Sequence, residues 1–162
     1  MKEKNEEAIC ILPGTHSKHI MVSNDIVTTF KTFVTGELFD ILVQRSVLSN
    51  SVSPGKDDRS FMQGVKEALR KNLLNSIFSV RVEHVLHQSS PIENYQYLSG
   101  LIIGSELKEL ENSDATIYLV SEDPLKKSYE SGLRAVGVKE IISLSANEAL
   151  INGHVIVFNN LS

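Results

Sequence analysis

The chain has 162 residues, of which 41% are hydrophobic and 22% charged, with a formal net charge of −4; these values suit one globular domain and exclude a disordered or fibrous chain. The acidic balance, with no basic stripe, argues against a nucleic-acid partner. Cys10 is the sole cysteine, which excludes an internal disulfide, and no Cys/His spacing supports a zinc site.

That cysteine usage fits a reducing, cytoplasmic compartment. No apolar run reaches the roughly 18–20 residues that span a bilayer. The opening "MKEKNEEAICIL" mixes acidic residues with a very short apolar segment, unlike a signal peptide. No membrane partner is expected.

In chain order, Ala8 to Leu12 reads as a short buried strand ending at Pro13. His19 to Ser23 and Ile26 to Phe33 read as two further strands, with Asn24-Asp25 suited to a tight hairpin. The spacing of Leu38, Leu42 and Val43 then predicts a helix, with Thr35 as N-cap and Glu37 in its first turn. A polar loop, "SNSVSPGKDDRS", separates it from an amphipathic helix over "SFMQGVKEALRKNLLNSIF", with Ser60 as the candidate cap. "VRVEHVLHQ" is ambiguous between strand and helix. "PIENYQYLSGLIIGSELKELE" predicts a long helix, apolar on nearly all sides in its middle and therefore central. A strand over "ATIYLV", a helix ending at Gly137, a strand over "KEIISL", a short helix capped by Ser145 and an apolar tail, "HVIVF", complete the chain. The sum is an α/β domain with a mixed sheet, an antiparallel meander first and parallel crossovers later.

The stretch most suggestive of function is "PGTHSK". A turn presenting Gly14, Thr15, His16, Ser17 and Lys18 can surround a phosphate: glycine admits a close backbone approach, neighbouring N–H groups form an anion nest, hydroxyls donate and lysine adds charge. The alternative is an ordinary polar hairpin turn, and the spacing is not that of a Walker loop. Thr35, Gly36 and Glu37 open a helix whose positive end favours anions, or simply cap it. Gly100 and Gly104 share one face of the central helix, which suits close packing against the sheet or against a ligand-bearing strand. His16 and His19 face opposite sides of a strand and make poor joint ligands. His84 and His87 could share a helical face, but no carboxylate or cysteine cluster accompanies them. Arg81 is either a surface charge or a carboxylate ligand. No metal-ligating set emerges.

"PGTHSKHI", "FKTFVTGELFDIL" and "YLSGLIIGSEL" resemble, in order and spacing from Ile11 to Leu107, the consecutive signatures of the 2-dehydro-3-deoxygalactonokinases (2-keto-3-deoxygalactonate kinases). "ATIYLVSEDPLKKSYESGLRAVG" resembles the same family more weakly. The family belongs to the sugar kinase, heat-shock chaperone and actin superfamily, whose members have two ribonuclease-H-like domains with ATP between them. The resemblance implies a ribonuclease-H-like fold with helices on both faces of the sheet. It implies that Gly14, Thr15, His16, Ser17 and Lys18 form the second phosphate loop and that Thr35, Gly36 and Glu37 line the cleft. Gly100 and Gly104 would then lie beside the nucleotide, and the loop after Val120, with Ser121 and Glu122, would approach the adenosine.

The implied reaction is transfer of the ATP γ-phosphate to 2-dehydro-3-deoxy-galactonate, with magnesium. Residues 1–162 correspond to the C-terminal, nucleotide-binding lobe alone. The family's N-terminal half, with the first phosphate loop, its metal-associated aspartate and the acid that activates the sugar hydroxyl, has no counterpart here, so no catalytic residue is expected in this chain. A non-catalytic phosphate- or nucleotide-binding module, or a truncated remnant, is the alternative. Besides ATP and the sugar acid, the expected partner is a second copy or a separately encoded N-terminal lobe. Two departures stand out: Ser121, Glu122, Asp123 and Pro124 occupy a loop where relatives usually have glycine, and His19 stands where they often have tryptophan.

Overall fold

A computed structural model describes residues 7–86 and 89–160. Three antiparallel strands come first: β1 (Glu7–Leu12), β2 (Ser17–Ser23) and β3 (Ile26–Phe33). Asn24 and Asp25 make the expected hairpin with φ of 49° and 63°, a conformation short polar side chains tolerate. Helices α1 (Thr35–Arg45), α2 (Asp58–Arg70), α3 (Leu73–Leu86) and α4 (Pro91–Leu107) follow. Then β4 (Thr116–Val120), α5 (Leu125–Ala135), β5 (Ile141–Leu144) and α6 (Ala146–Asn160) alternate. The sheet order is β3-β2-β1-β4-β5, with β1–β4 and β4–β5 parallel.

Several boundaries differ from the sequence expectation. The helix expected across residues 60–78 is two helices. Lys71 is extended at φ −120° and ψ 167°, and the Asn72 side chain accepts from Leu74 N at 3.0 Å to start α3. Asp57, not Ser60, caps α2, accepting from Ser60 N at 2.7 Å. "VRVEHVLHQ" resolves as helix through Leu86, with Ser76 and Val80 buried one turn apart. Arg81 Nη1 donates to Ser51 Oγ at 3.0 Å, which ties α3 to the segment between α1 and α2. His87 lies outside the described residues. The short helix capped by Ser145 and the apolar tail are one continuous helix, α6; the Ser145 hydroxyl does cap it, accepting from Glu148 N at 3.2 Å. Thr35 is not an N-cap: that position is Val34, and Thr35 is buried. α4 begins on a full capping box, Ser90 with Glu93, followed by Pro91. Gly137, at φ +88°, ends the turn after α5 as expected.

Ile11, Ile117 and Leu119 point from the sheet onto Phe61 and Val65 of α2, Ile103 and Leu107 of α4, and Tyr129 and Leu133 of α5, forming one core. A second core joins α1, α2, α3 and α4 around Leu48, Leu98 and Leu101. Every helix that buries a residue therefore stacks on the same side of the sheet. The expectation of helices on both faces is not met among the described residues, because α6 has no buried residue. The other face carries Cys10, Ile20, Tyr118 and Ile142, only half-buried, and Phe30 on the edge strand, 65% exposed.

α2 and α4 meet at glycines. A Cβ on Gly64 would run into Tyr97 O, one on Gly100 into Phe61 O, and one on Gly104 would stand 2.9 Å from Val65 Cα. Gly100→Ala should therefore destabilise the fold near the upper end of the roughly 1–3 kcal/mol typical of overpacking. Urea unfolding measures this; a loss below about 0.5 kcal/mol would mean that the two helices can separate at little cost.

Candidate functional site

A cleft of about 1120 Å³ opens where the β1–β2 turn, the start of α1, the loop before α2, the middle of α4 and the start of α5 converge. Gly14 and Thr15 form one wall, with Thr35, Gly36, Phe39 and Asp40 beside them. Pro54 to Lys56 and Asp58 form the rim ahead of α2. Tyr95, Ser99, Ile102 and Ile103 of α4 form the floor, and Asp123 to Leu125 with Lys127 to Ser131 close the far side.

The turn and α1 are docked backbone to backbone. Glu37 N donates to Thr15 O at 3.0 Å. A Cβ on Gly36 would stand 2.7 Å from Gly14 O and 2.8 Å from Thr15 Cα, so only glycine permits this approach. The partial positive end of α1 thereby opens on the cleft at Thr35 and Gly36.

The five residues of the turn take four different placements. Gly14 and Thr15 face the cleft. The His16 side chain turns out of that wall to Glu37, Nε2 to Oε2 at 2.6 Å, both groups about half exposed. Lys18 folds back to donate to His16 O at 3.0 Å. Ser17 is fully buried and points inward.

Ser17 reaches a group that sequence reasoning missed, the buried carboxylate of Glu106 on α4. Oε1 accepts from Ser17 Oγ at 2.7 Å and pairs with His19 Nε2 at 2.8 Å; Oε2 accepts from Tyr129 Oη at 2.7 Å and from Thr35 Oγ1. Burial pushes this carboxyl up, but the hydrogen bonds from His19, Thr35, Ser17 and Tyr129 outweigh it and hold its pKa below the ordinary value. The Tyr129 phenol moves the other way, raised by burial and by the Glu106 charge. His19, on β2, is wholly buried and has nothing to do with exposed His16; its Nδ1 has no hydrogen-bond partner. The available signal was a lone acid inside the apolar run "GLIIGSEL", since an unpaired carboxylate is almost never buried.

Gly100 and Gly104 face α2 rather than the cleft, and their neighbours Ser99, Ile102 and Ile103 line it instead. Ser121 is buried, with its N–H on Leu144 O at 3.1 Å. Glu122 accepts from Ser145 Oγ at 2.6 Å and Asn147 N at 3.3 Å, which ties it to the start of α6. Neither residue lines the cleft, whereas Asp123 and Pro124 do. The Lys127 ammonium, 2.6 Å away, holds the Asp123 carboxyl below its usual value. Among the described residues no cluster of three or more His, Cys, Asp or Glu side chains could hold a metal ion, and no helix is long and apolar enough to cross a membrane.

The chain belongs to the 2-keto-3-deoxy-galactonokinase family, whose model matches residues 1–157. It is 32% identical over 151 residues to the probable 2-dehydro-3-deoxygalactonokinase of Rhizobium meliloti, covering 88% of this chain and 49% of that protein. It is 29% identical over 135 residues to the 2-dehydro-3-deoxygalactonokinase of Escherichia coli, covering 80% of this chain and 46% of that protein. A crystal structure of a protein assigned as a 2-dehydro-3-deoxygalactonokinase in Sinorhizobium meliloti superposes with a TM-score of 0.82 at 30% identity, over 90% of this chain and 49% of that one. The chain thus spans about half the length of the curated relatives it matches.

Because the folded-state pKa of Glu106 is depressed, its contribution to stability is fully present above the unfolded glutamate value of about 4.3 and is lost as pH falls through the lower folded value. Acid unfolding followed by circular dichroism should show a limb below about pH 4, shallower by up to one proton in Glu106→Gln. Superimposable limbs would remove Glu106 from the acid response.

Proposed function

We propose that this chain is the nucleotide-binding lobe of a 2-dehydro-3-deoxygalactonate kinase, with a ribonuclease-H-like fold. The observation that carries the reading is the docking of the Gly14-Thr15 turn on the positive end of α1 at one wall of the cleft, in a member of this family. The sheet order β3-β2-β1-β4-β5 with an antiparallel meander first also supports it.

In this reading the backbone at Gly14 and Thr15, the Thr15 hydroxyl and the first turn of α1 receive the phosphates of ATP. Phe39, Ile102 and Ile103 offer apolar surface to the base and ribose, and Lys56 and Lys127 stand on the rim as charge partners. ATP supplies the phosphoryl group, which passes to a hydroxyl of the sugar acid. The described residues offer no cluster to hold magnesium, which fits a metal carried mainly by the phosphates and water. Phosphoryl transfer depends on positioning and charge stabilisation. The group that takes the hydroxyl proton would come from a second lobe, on a separate chain or joined to this one.

A second reading, a phosphate- or nucleotide-binding module without turnover, is favoured by the charge of the lining. Asp40, Asp58, Asp123 and Glu130 face the cleft against Lys56 and Lys127, an excess of negative charge that opposes a triphosphate.

Calorimetry with magnesium-ATP and a coupled phosphorylation assay test the nucleotide site and the absence of turnover that the two readings share. The expected outcome is saturable ATP binding with no turnover by the purified chain alone. No heat at millimolar nucleotide would refute ATP binding, and turnover by the chain alone would refute the half-site assignment. Gly36→Ala, which forces the turn off α1, should weaken ATP binding at least tenfold while the far-ultraviolet spectrum stays unchanged; unaltered affinity would remove the turn from the site.

A further inference from the structure

The Glu106 cluster sits behind the cleft rather than in it. Its carboxylate has about four acceptor sites and all four are used. The donors come from three separate elements. Ser17 and His19 belong to β2, immediately after the Gly14-Thr15 turn; Thr35 is the first residue of α1; Tyr129 is on α5. Thr35 and Tyr129 also line the cleft, and their hydroxyls meet on the same Glu106 oxygen. The carboxylate is therefore one fixed point behind the turn, the start of α1 and α5.

We infer that Glu106 is a positioning residue: its four accepted hydrogen bonds clamp the turn, the start of α1 and α5 at the separation the ligand requires. The part that concerns ATP rests on the proposed function; the clamp itself does not. Glu106 touches no ligand and acts through Thr35, Ser17 and Tyr129. A buried negative charge close to an anion site opposes phosphate binding by simple Coulomb repulsion. If charge alone mattered, neutralising Glu106 would tighten ATP binding. If the clamp dominates, neutralising it weakens binding, because an amide has one oxygen to accept with and presents its own N–H groups to donors. The two accounts predict opposite signs.

The test uses Glu106→Gln, Thr35→Val and Thr35→Ser, read by amide hydrogen exchange and by magnesium-ATP calorimetry. Glu106→Gln and Thr35→Val should each speed exchange about tenfold or more at residues 14–17 and 35–38, with α3 unchanged, and weaken ATP binding by a similar factor. Thr35→Ser, which keeps the hydroxyl, should behave as the native chain. The double variant Glu106→Gln/Thr35→Val should be no worse than the worse single one, because both remove the same restraint. Unchanged exchange at those segments, a uniform rise over the whole chain, or tighter ATP binding in Glu106→Gln would each overturn the clamp. If Glu106→Gln does not fold, Thr35→Val and Thr35→Ser decide by the same criteria. If the native chain binds no ATP, the functional reading fails, while the exchange data still decide the clamp.

Discussion

The α2–α4 contact governs the rest of the molecule. Gly64 and Gly100 let the backbone of each helix rest on the other, and Gly104 extends the seam by one turn. With no side chains between them the helices act as a single slab. One face of that slab carries Phe61, Val65, Ile103 and Leu107 against the sheet, and the other carries Ala68, Leu98 and Leu101 toward α1 and α3. Both cores exist because α4 is held at this depth. The same depth brings Glu106 within hydrogen-bond reach of β2 and presents Ser99, Ile102 and Ile103 to the cleft.

Two opposite electrostatic solutions then meet at α5, which supplies Tyr129 to one and Lys127 to the other. Inside, a carboxylate is held in its charged form in a dry place because hydrogen-bond donors saturate both its oxygens. Outside, Asp123, Pro124 and Lys127 form a solvated rim in which charge is paired locally and screened. The first arrangement is rigid and belongs to the fold. The second is soft, and it sets what charge the cleft tolerates.

Much of the architecture was legible in the sequence because it depends on local rules. Asn24-Asp25, Gly137 and Ser145 are turn and cap signals whose physics is complete within a few residues. The errors came where packing decides. The break at Lys71-Asn72 lay inside an unbroken apolar pattern, and α6 gained its second half from residues that read as a tail. Thr35 read as a cap because its side chain suits that role; its hydroxyl instead answers a carboxylate on another helix. The site was legible in part. Gly14, Thr15, Thr35 and Gly36 do meet at the cleft. Gly100 and Gly104 do serve close packing, but against α2 rather than the sheet or a nucleotide. Ser121 and Glu122 are spent on β5 and α6, which no spacing rule shows. Glu106 stayed hidden because its four partners are spread from Ser17 to Tyr129, and pairings of that range leave no periodic trace.

The place of β1 has a kinetic meaning. It is the first of the described strands in chain order, yet it lies at the middle of the sheet, and its parallel neighbour β4 follows four helices later. The β1–β3 meander and the α2–α4 slab can each form from nearby residues, but neither fixes the sheet. The centre closes only when Ile9 finds Ile117 and Ile11 finds Leu119. That pairing bears the loop-closure entropy of the whole helical insertion, and long-range parallel pairing is intrinsically slow. Until it forms, the apolar edges of β1 and the helical slab stand open to other chains, so the interval before β4 arrives is when this protein is most exposed to misassembly.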